Sequence, residues 1–220
     1  WHGEPYLGWP INHIEQFLGK SITKVAFVPY AAVTFSYDKY EEMVNAALSK
    51  IGVEVSSIHH HHSPKHAIEE AEAIIIGGGN SFRLLQQLYE LDLIQSIRQK
   101  MNQNTPYIGW SAGANMACPT IKTTNDMPIV EPKSFEALKL ISFQINPHYT
   151  ELTIADHGGE SRLQRLQEYA AINEIPVACL PEGCGILVEN GEHTLISKEP
   201  IKVIRQGGTI STVTPGKFQI

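Results

Sequence analysis

The segment YIGWSAGAN, from Tyr107 to Asn115, places a serine between two glycines directly after a short apolar run. Gly109 and Gly113 lie two residues on either side of Ser111, so the pattern is G-x-S-x-G. A nucleophilic serine must stand clear of its own backbone, and a sharp strand-to-helix turn with small neighbours achieves this. The pattern predicts a strand before Ser111, a helix after it and a nucleophile at the turn. The plainer interpretation is a tight turn at the end of a strand.

Apolar runs and helical periodicities alternate on both sides of this segment. KVAFVPYA, AIIIGGGN and PVACLPEG have the length and closing residues of strands, whereas SYDKYEEMVNAALSKIG has apolar residues at helical spacing. The tail from GILVENGEHTLIS to GGTISTV predicts short antiparallel strands with a turn at Asn190–Gly191. We therefore expect a doubly wound, mostly parallel α/β sheet with antiparallel strands near its C-terminus. We expect a single catalytic domain over residues 1–220.

Composition narrows the class of partner. The chain of 220 residues carries a net charge of −6 and has no long basic run, which argues against nucleic acid as a partner. Its apolar runs are strand-sized, so we expect no membrane partner. Cys118, Cys179 and Cys184 are scattered, and no leader segment is recognisable, so we expect reduced thiols in a cytoplasmic protein. An acidic substrate is still compatible with this net charge, because a single arginine can outweigh the global charge at short range.

Four polar or glycine-rich turns, GGGN, WSAG, NPH and PEG, each follow a predicted strand directly. The carboxyl ends of parallel strands meet at one edge of a sheet, where ligands bind, so these turns predict a single site. Within GGGN, the N–H groups of Gly78, Gly79 and Asn80 are candidates for the second donor of an oxyanion hole. A plain glycine turn and a phosphate cradle are the alternatives, although the P-loop lysine is not in the sequence.

A serine nucleophile needs a base, and His148 in INPHYT ends a predicted strand at the expected edge. The His59–His62 run is interpreted as a solvated loop, because consecutive residues point in different directions and no nearby carboxylate or cysteine completes a metal site. Two carboxylates could orient the base, Glu182 in LPEG and Asp126 in TTNDMP. The residues leave this choice open, and the strand-end position favours Glu182.

The segments GGGNSFRLLQ, YIGWSAGANMACPTIKTTNDMPIVEP, QINPHYT and LPEG together resemble a serine peptidase family that includes the α-aspartyl dipeptidase peptidase E and cyanophycinase. The resemblance covers most of the chain, and its central segment is highly specific. It implies a flavodoxin-like or class I glutamine amidotransferase-like sheet and a cytoplasmic enzyme. It further implies hydrolysis of dipeptides with an N-terminal aspartate (Asp-X), without a metal or other cofactor.

The resemblance also assigns roles to individual residues. It implies Ser111 as the nucleophile, His148 as the general base, Glu182 as the third triad member with Asp126 as the alternative, and the N–H groups of Gly79 and Ala112 as the oxyanion hole. It implies Arg162 as the residue that binds the aspartate carboxylate of the substrate, with Asn80 as a second substrate-binding residue. Without the resemblance, Arg162 would be interpreted as a surface charge of a helix, and its neighbour Arg165 is a weaker candidate.

Two departures from the family pattern accompany the match. The family begins with a short apolar strand that precedes Trp1 here, and we expect trimming or processing of the chain. The segment ELTIADHGGES after His148 also differs from the family pattern, and it belongs to the loop expected around the substrate.

Two other functions stay open: hydrolysis of β-aspartyl or cyanophycin-like peptides, and non-catalytic binding of a small anion. The residues leave the oligomeric state open, with a homodimer as the assembly considered.

Overall fold

The computed structural model describes residues 3–153 and 158–220, which fall into two compact units. The first unit comprises the residues up to Lys122 together with Asp126–Leu140, and the second comprises Thr123–Asn125 and the described part of Ile141–Ile220. The single catalytic domain over residues 1–220 stays a prediction.

From Lys24 onward the helices and strands follow the order that the sequence predicts, and they are preceded by one helix that it does not predict. The helices are α1 (Ile11–Leu18), α2 (Tyr37–Leu48), α3 (Pro64–Glu69), α4 (Ser81–Glu90), α5 (Leu93–Asn102), α6 (Ala112–Ala117) and α7 (Arg162–Ile172). The strands are β1 (Lys24–Val28), β2 (Glu54–Ser57), β3 (Ile74–Ile76), β4 (Tyr107–Gly109), β5 (Gln144–Pro147), β6 (Val177–Leu180), β7 (Gly185–Glu189), β8 (Glu192–Ile196), β9 (Ile201–Ile204), β10 (Ile210–Val213) and β11 (Gly216–Phe218).

The first unit contains a four-stranded parallel sheet in the order β2-β1-β3-β4. Successive side chains of a strand point to opposite faces, and β1 divides accordingly. Val25 and Phe27 pack with α1 and α2, while Ala26 and Val28 pack with α3, α4, α5 and α6. Helices therefore cover both faces, which confirms the doubly wound parallel sheet.

Local signals fix the ends of the helices in this unit. The hydroxyl of Ser36 accepts a hydrogen bond from the N–H of Lys39 at the start of α2. At the start of α3, whose first residue is Pro64, the hydroxyl of Ser63 accepts a hydrogen bond from the N–H of His66. Gly52 adopts φ 75° after the single 3₁₀ turn that follows α2. The caps of α2 agree with the ends of SYDKYEEMVNAALSKIG, the segment in which the sequence predicts a helix.

The second unit holds a four-stranded sheet in the order β10-β9-β6-β5, in which β5 and β6 are parallel and β9 and β10 are antiparallel additions. Leu166 and Ala170 of α7 pack against Val177 and Cys179 of β6. A three-stranded antiparallel sheet, β11-β8-β7, contains the predicted turn at Asn190–Gly191. The antiparallel strands of the C-terminal part are thus confirmed.

The three cysteines differ in burial. Cys118 and Cys179 are buried and Cys184 is partly exposed, and all three are free thiols. Burial raises the pKa of Cys179 to about 12, so this thiol stays protonated at neutral pH.

Across residues 3–153 and 158–220, none of the helices combines the length and the apolar character needed to cross a bilayer.

Candidate active site

Ser111 occupies a sharp turn between β4 and α6. Its backbone has φ 54° and ψ −115°, a combination that residues with a side chain rarely adopt. Strain of this kind costs about 1–3 kcal/mol and persists only where the surrounding structure enforces it. The strand, the serine and the helix are arranged as the G-x-S-x-G pattern predicts.

Close packing between α6 and the sheet enforces this turn. A Cβ atom added to Gly113 would lie 2.1 Å from the carbonyl oxygen of Ile76 at the end of β3. The hydroxyl of Tyr107 donates a hydrogen bond to the carbonyl of Gly113 over 2.6 Å, and burial raises the pKa of that hydroxyl. The start of α6 is therefore held against β3 and β4, which leaves Ser111 at the carboxyl edge of the sheet.

The glycine-rich loop after β3 lies beside Ser111. A Cβ atom added to Gly78 would come within 2.8 Å of the Cβ atom of Ser111. Gly79 has φ 136°, and an added Cβ atom there would lie 2.2 Å from the carbonyl oxygen of Ala31. The structure thus brings together the serine turn and the loop that the sequence predicts as a source of oxyanion donors.

Tyr40 of α2 fixes the conformation of this loop. Its hydroxyl donates a hydrogen bond to the carbonyl of Gly78 over 2.9 Å and accepts one from the hydroxyl of Tyr6 over 3.3 Å. Burial raises the pKa of Tyr40, so the hydroxyl keeps its proton and remains a donor. The sequence analysis missed Tyr40, because a tyrosine on the buried face of a helix has the pattern of a core residue.

Asn80 and Asp126 both hold the start of α4. The side-chain oxygen of Asn80 accepts a hydrogen bond from the N–H of Arg83 over 3.0 Å, and its amide donates to the carbonyl of Met127 over 2.8 Å. A carboxylate oxygen of Asp126 accepts from the N–H of Ser81 over 2.7 Å. These contacts give both residues a capping function that the sequence analysis did not predict.

In the second unit, His148 and Glu182 lie at the ends of two neighbouring strands. Pro147 of β5 is in register with Leu180 of β6, so the residues that follow each strand are adjacent. Nδ1 of His148 hydrogen-bonds Oε1 of Glu182. Glu182 is therefore the carboxylate that the structure places on the histidine ring, and the side chains are 47% and 52% exposed.

Arg162 begins α7 next to the same strand end. Its guanidinium donates a hydrogen bond to the carbonyl of Pro147 over 3.4 Å, directly before His148. Burial, followed by the nearby charge of Arg165, lowers the pKa of Arg162. Arg165 is more exposed and forms an ion pair with Glu160 at 3.9 Å. Of the two arginines, Arg162 is the one in contact with the histidine segment.

The side chain of Asn125 also supports the turn at His148, a role that the sequence does not predict. Its amide donates to the carbonyl of Pro147 over 2.7 Å, and its side-chain oxygen accepts from the buried Asn146 over 2.9 Å. The turn that carries His148 is thereby held by side chains from two other segments. The TTNDMP stretch drew attention to Asp126, and only the folded chain shows that the preceding residue supports the histidine.

Two sequence predictions concern regions outside these contacts. His59 and His60 do not diverge as predicted: their ring centroids are 3.9 Å apart, because both lie in a single 3₁₀ turn, Ile58–His60. The prediction that no carboxylate lies nearby is wrong for these two residues, because Asp38 contacts both rings, whereas His60 is exposed as predicted. Residues 154–157 of the divergent ELTIADHGGES segment lie outside the described part of the chain.

Comparisons with known proteins give a consistent result. The sequence model of peptidase family S51 matches residues 1–196. A protein named peptidase E from Nostoc sp. is 48% identical over 206 residues, covering 93% of this chain and 85% of the relative. One from Haemophilus influenzae is 46% identical over 203 residues, covering 92% of both. The crystal structure of a peptidase from an acI-B1 Actinobacterium has the same fold, with a TM-score of 0.71, 15% identity and coverage of 96% and 91%.

Proposed function

The chain belongs to peptidase family S51 and is a serine-type peptidase, and on this premise we propose that it hydrolyses dipeptides with an N-terminal aspartate. The contact between His148 and Glu182 carries the catalytic part of the proposal. With Nδ1 hydrogen-bonded to a carboxylate, the ring is oriented so that Nε2 is the nitrogen that exchanges protons with a nucleophile. Homologues named peptidase E support a peptide substrate.

The proposed reaction starts with proton transfer from the hydroxyl of Ser111 to Nε2 of His148. The serine oxygen attacks the peptide carbonyl, and Glu182 stabilises the charged imidazole ring. His148 then donates the proton to the amine of the leaving residue. Water hydrolyses the aspartyl ester on Ser111, again with His148 as the base. The mechanism requires Ser111 and His148 to meet in the active enzyme.

The oxyanion of each tetrahedral intermediate is assigned to the N–H groups of Gly79 and Ala112. Ala112 is the first residue of α6, and the first N–H groups of a helix have no partner within the helix. The Gly78–Gly79 peptide lies in the loop beside Ser111. Two backbone donors from separate turns form the arrangement that stabilises a developing alkoxide in acyl transfer.

Arg162 is assigned to the side-chain carboxylate of the substrate aspartate. A planar guanidinium binds a carboxylate through two parallel hydrogen bonds, and a neutral amide cannot replace that ion pair. Partial burial of Arg162 strengthens an ion pair with the substrate, because water screens the charge less there. Asp126 is assigned to the substrate ammonium group, and Asn80 is assigned as a second substrate-binding residue.

Release of leucine from Asp-Leu tests the proposal, with Asn-Leu and β-Asp-Leu as competing substrates. We expect cleavage of Asp-Leu, and a loss of roughly 10⁴- to 10⁶-fold in kcat for Ser111→Ala. Ser21→Ala changes an exposed serine and serves as the matched control, with unchanged activity expected. Cleavage of β-Asp-Leu in preference to Asp-Leu would replace the α-aspartyl assignment with the cyanophycinase-like one. Full activity of Ser111→Ala would overturn the nucleophile.

A further inference from the structure

Two histidine rings of the first unit approach the same carboxylate oxygen. Nε2 of His59 lies 2.9 Å and Nε2 of His60 lies 3.3 Å from Oδ1 of Asp38. The candidate ligand atoms of these residues all lie within 4.8 Å of one another. Two imidazole nitrogens and a carboxylate oxygen at such separations have the chemistry of a site for a divalent cation.

Two elements that are distant in sequence position these ligands. The 3₁₀ turn Ile58–His60 directly follows β2, and Asp38 lies in the first turn of α2. The ring of Tyr37 packs edge-on against the ring of His59, with 5.5 Å between centroids. The two histidines are neighbours in sequence, but the tight turn brings both Nε2 atoms to the same carboxylate.

A second layer of contacts orients the His59 ring. Nδ1 of His59 lies 2.6 Å from the hydroxyl oxygen of Ser57, which is itself 1% exposed and 3.5 Å from the carbonyl of Phe27. If Nδ1 donates to Ser57 and Ser57 donates to Phe27, Nε2 of His59 carries the lone pair that a metal needs. Ligating histidines commonly use their second nitrogen in this way.

Glu41 contacts one of the two histidines from the next turn of α2. Its Oε2 is 2.9 Å from Nε2 of His60, and its Oε1 accepts a hydrogen bond from the N–H of Ser57 over 2.8 Å. The second bond fixes the carboxylate on the side of the histidines. The cluster therefore offers three converging ligands and a fourth oxygen on the next turn of α2.

We propose that Asp38, His59 and His60 bind Zn²⁺, with Glu41 or water as the fourth ligand. Zn²⁺ bonds to nitrogen and oxygen ligands are about 2.0–2.1 Å long, so the ligands of a tetrahedral site lie about 3.3 Å apart. The observed separations of 2.9 and 3.3 Å are close to that value. The site is independent of the proposed catalytic residues, and its failure would leave the proposed function unaffected.

Binding at this position would clamp the start of α2 to the end of β2. A ligand that binds only the folded state stabilises it in proportion to the logarithm of its concentration over its dissociation constant. Zn²⁺ is therefore expected to raise the unfolding temperature of the protein. The shift in unfolding temperature can be measured without any substrate.

The main rival is that the run of four histidines chelates metal non-specifically, as an exposed imidazole cluster does. Asp38→Asn separates the two explanations, because it removes the carboxylate charge and leaves every imidazole in place. His62→Gln is the matched control, since it removes an exposed imidazole of the run that is outside the cluster. A third explanation, ion pairing of protonated histidines with Asp38, predicts no metal binding.

The experiment titrates untagged, chelator-treated protein with Zn²⁺ against a chromophoric chelator, and with Co²⁺ while recording the visible spectrum. We expect a single Zn²⁺ per chain, a tetrahedral Co²⁺ spectrum, unchanged binding in His62→Gln and at least about tenfold weaker binding in Asp38→Asn. Wild-type affinity in Asp38→Asn, or an octahedral Co²⁺ spectrum, would overturn the proposal. Circular dichroism of each variant confirms that lost binding is not lost folding.

Discussion

The turn at Ser111 in the first unit is shaped by backbone packing, whereas the turn at His148 in the second unit is held by side chains. At the serine, an added Cβ atom on Gly113 would collide with the backbone of β3. At the histidine, Glu182 contacts the ring, and Asn125 and Arg162 donate to the preceding carbonyl. Both residues have positive φ, at 54° in each case, but the constraint has a different origin.

We expect this difference to separate positions that determine stability from positions that supply the proposed chemistry. Where backbone atoms leave no room, any side chain disturbs the packing of a helix on the sheet, and stability suffers first. Where exposed side chains supply the function, a substitution removes a chemical group and leaves the fold nearly unchanged. The following variants test this division.

His148→Asn is expected to have the largest effect on activity with little effect on stability. Asparagine tolerates positive φ, so the backbone at this position is preserved while the base is lost. We expect kcat/KM for Asp-Leu to fall at least about 10⁴-fold, as for other catalytic bases. Steady-state assays and thermal unfolding measure the two effects, with His62→Asn as the control. A large drop in unfolding temperature would assign His148 to the fold and contradict the comparison.

Gly113→Ala tests the opposite case. Its Cβ atom would lie 2.1 Å from the carbonyl oxygen of Ile76, so α6 must move away from β3. We expect a loss of about 3 kcal/mol or more in the free energy of unfolding, measured by urea denaturation. Gly158→Ala is the control, because an added Cβ atom there meets no atom within 4 Å. Equal stabilities of the two variants would show that the serine turn is not limited by packing.

The elements could be predicted because each one carries local signals. The G-x-S-x-G pattern located the turn at Ser111, and strand ends located His148 and Glu182. The helical spacing in SYDKYEEMVNAALSKIG located α2, and the Asn190–Gly191 pair located a hairpin. Each of these signals depends on a few consecutive residues, which a sequence shows directly.

Contacts between distant segments could not be predicted in the same way. Asn125 reaches the carbonyl of Pro147 across 22 residues, and Asp38 reaches His59 across 21. Spacing rules do not connect such pairs, because their approach depends on how the chain returns to the same sheet edge. For the same reason, the sequence leaves open whether Glu182 or Asp126 contacts His148, and the structure places Glu182 on the ring.

Arg162→Gln removes one charge next to the turn at His148, where side chains hold the structure. A hydrogen-bonded ion pair with the substrate carboxylate is worth about 1.5–3 kcal/mol. We therefore expect kcat/KM for Asp-Leu to fall about 100-fold, with little change for Asn-Leu. Arg165→Gln removes a more exposed arginine of the same helix and should leave both substrates unaffected. An undiminished preference for Asp-Leu in Arg162→Gln would move the specificity pocket elsewhere.

Tyr40→Phe has the smallest expected effect. It removes a side-chain hydroxyl that contacts the glycine-rich loop beside Ser111. The hydroxyl of Tyr40 holds the carbonyl of Gly78, and the same peptide unit carries the N–H of Gly79 that we assign to the oxyanion. In a trans peptide the carbonyl and the N–H point in opposite directions, so fixing one aims the other. Loss of the hydroxyl should lower kcat about tenfold with KM nearly unchanged, because the donor acts on the transition state.

Tyr6→Phe is the matched control for this last variant. It removes the hydroxyl that donates to Tyr40 but leaves the bond from Tyr40 to Gly78 in place. Both variants remove a hydrogen bond of the Tyr6–Tyr40–Gly78 chain, so both should lose about 1 kcal/mol of stability. If kcat falls equally in the two variants, the effect follows stability alone; if it falls only in Tyr40→Phe, the orientation of one peptide unit limits the rate.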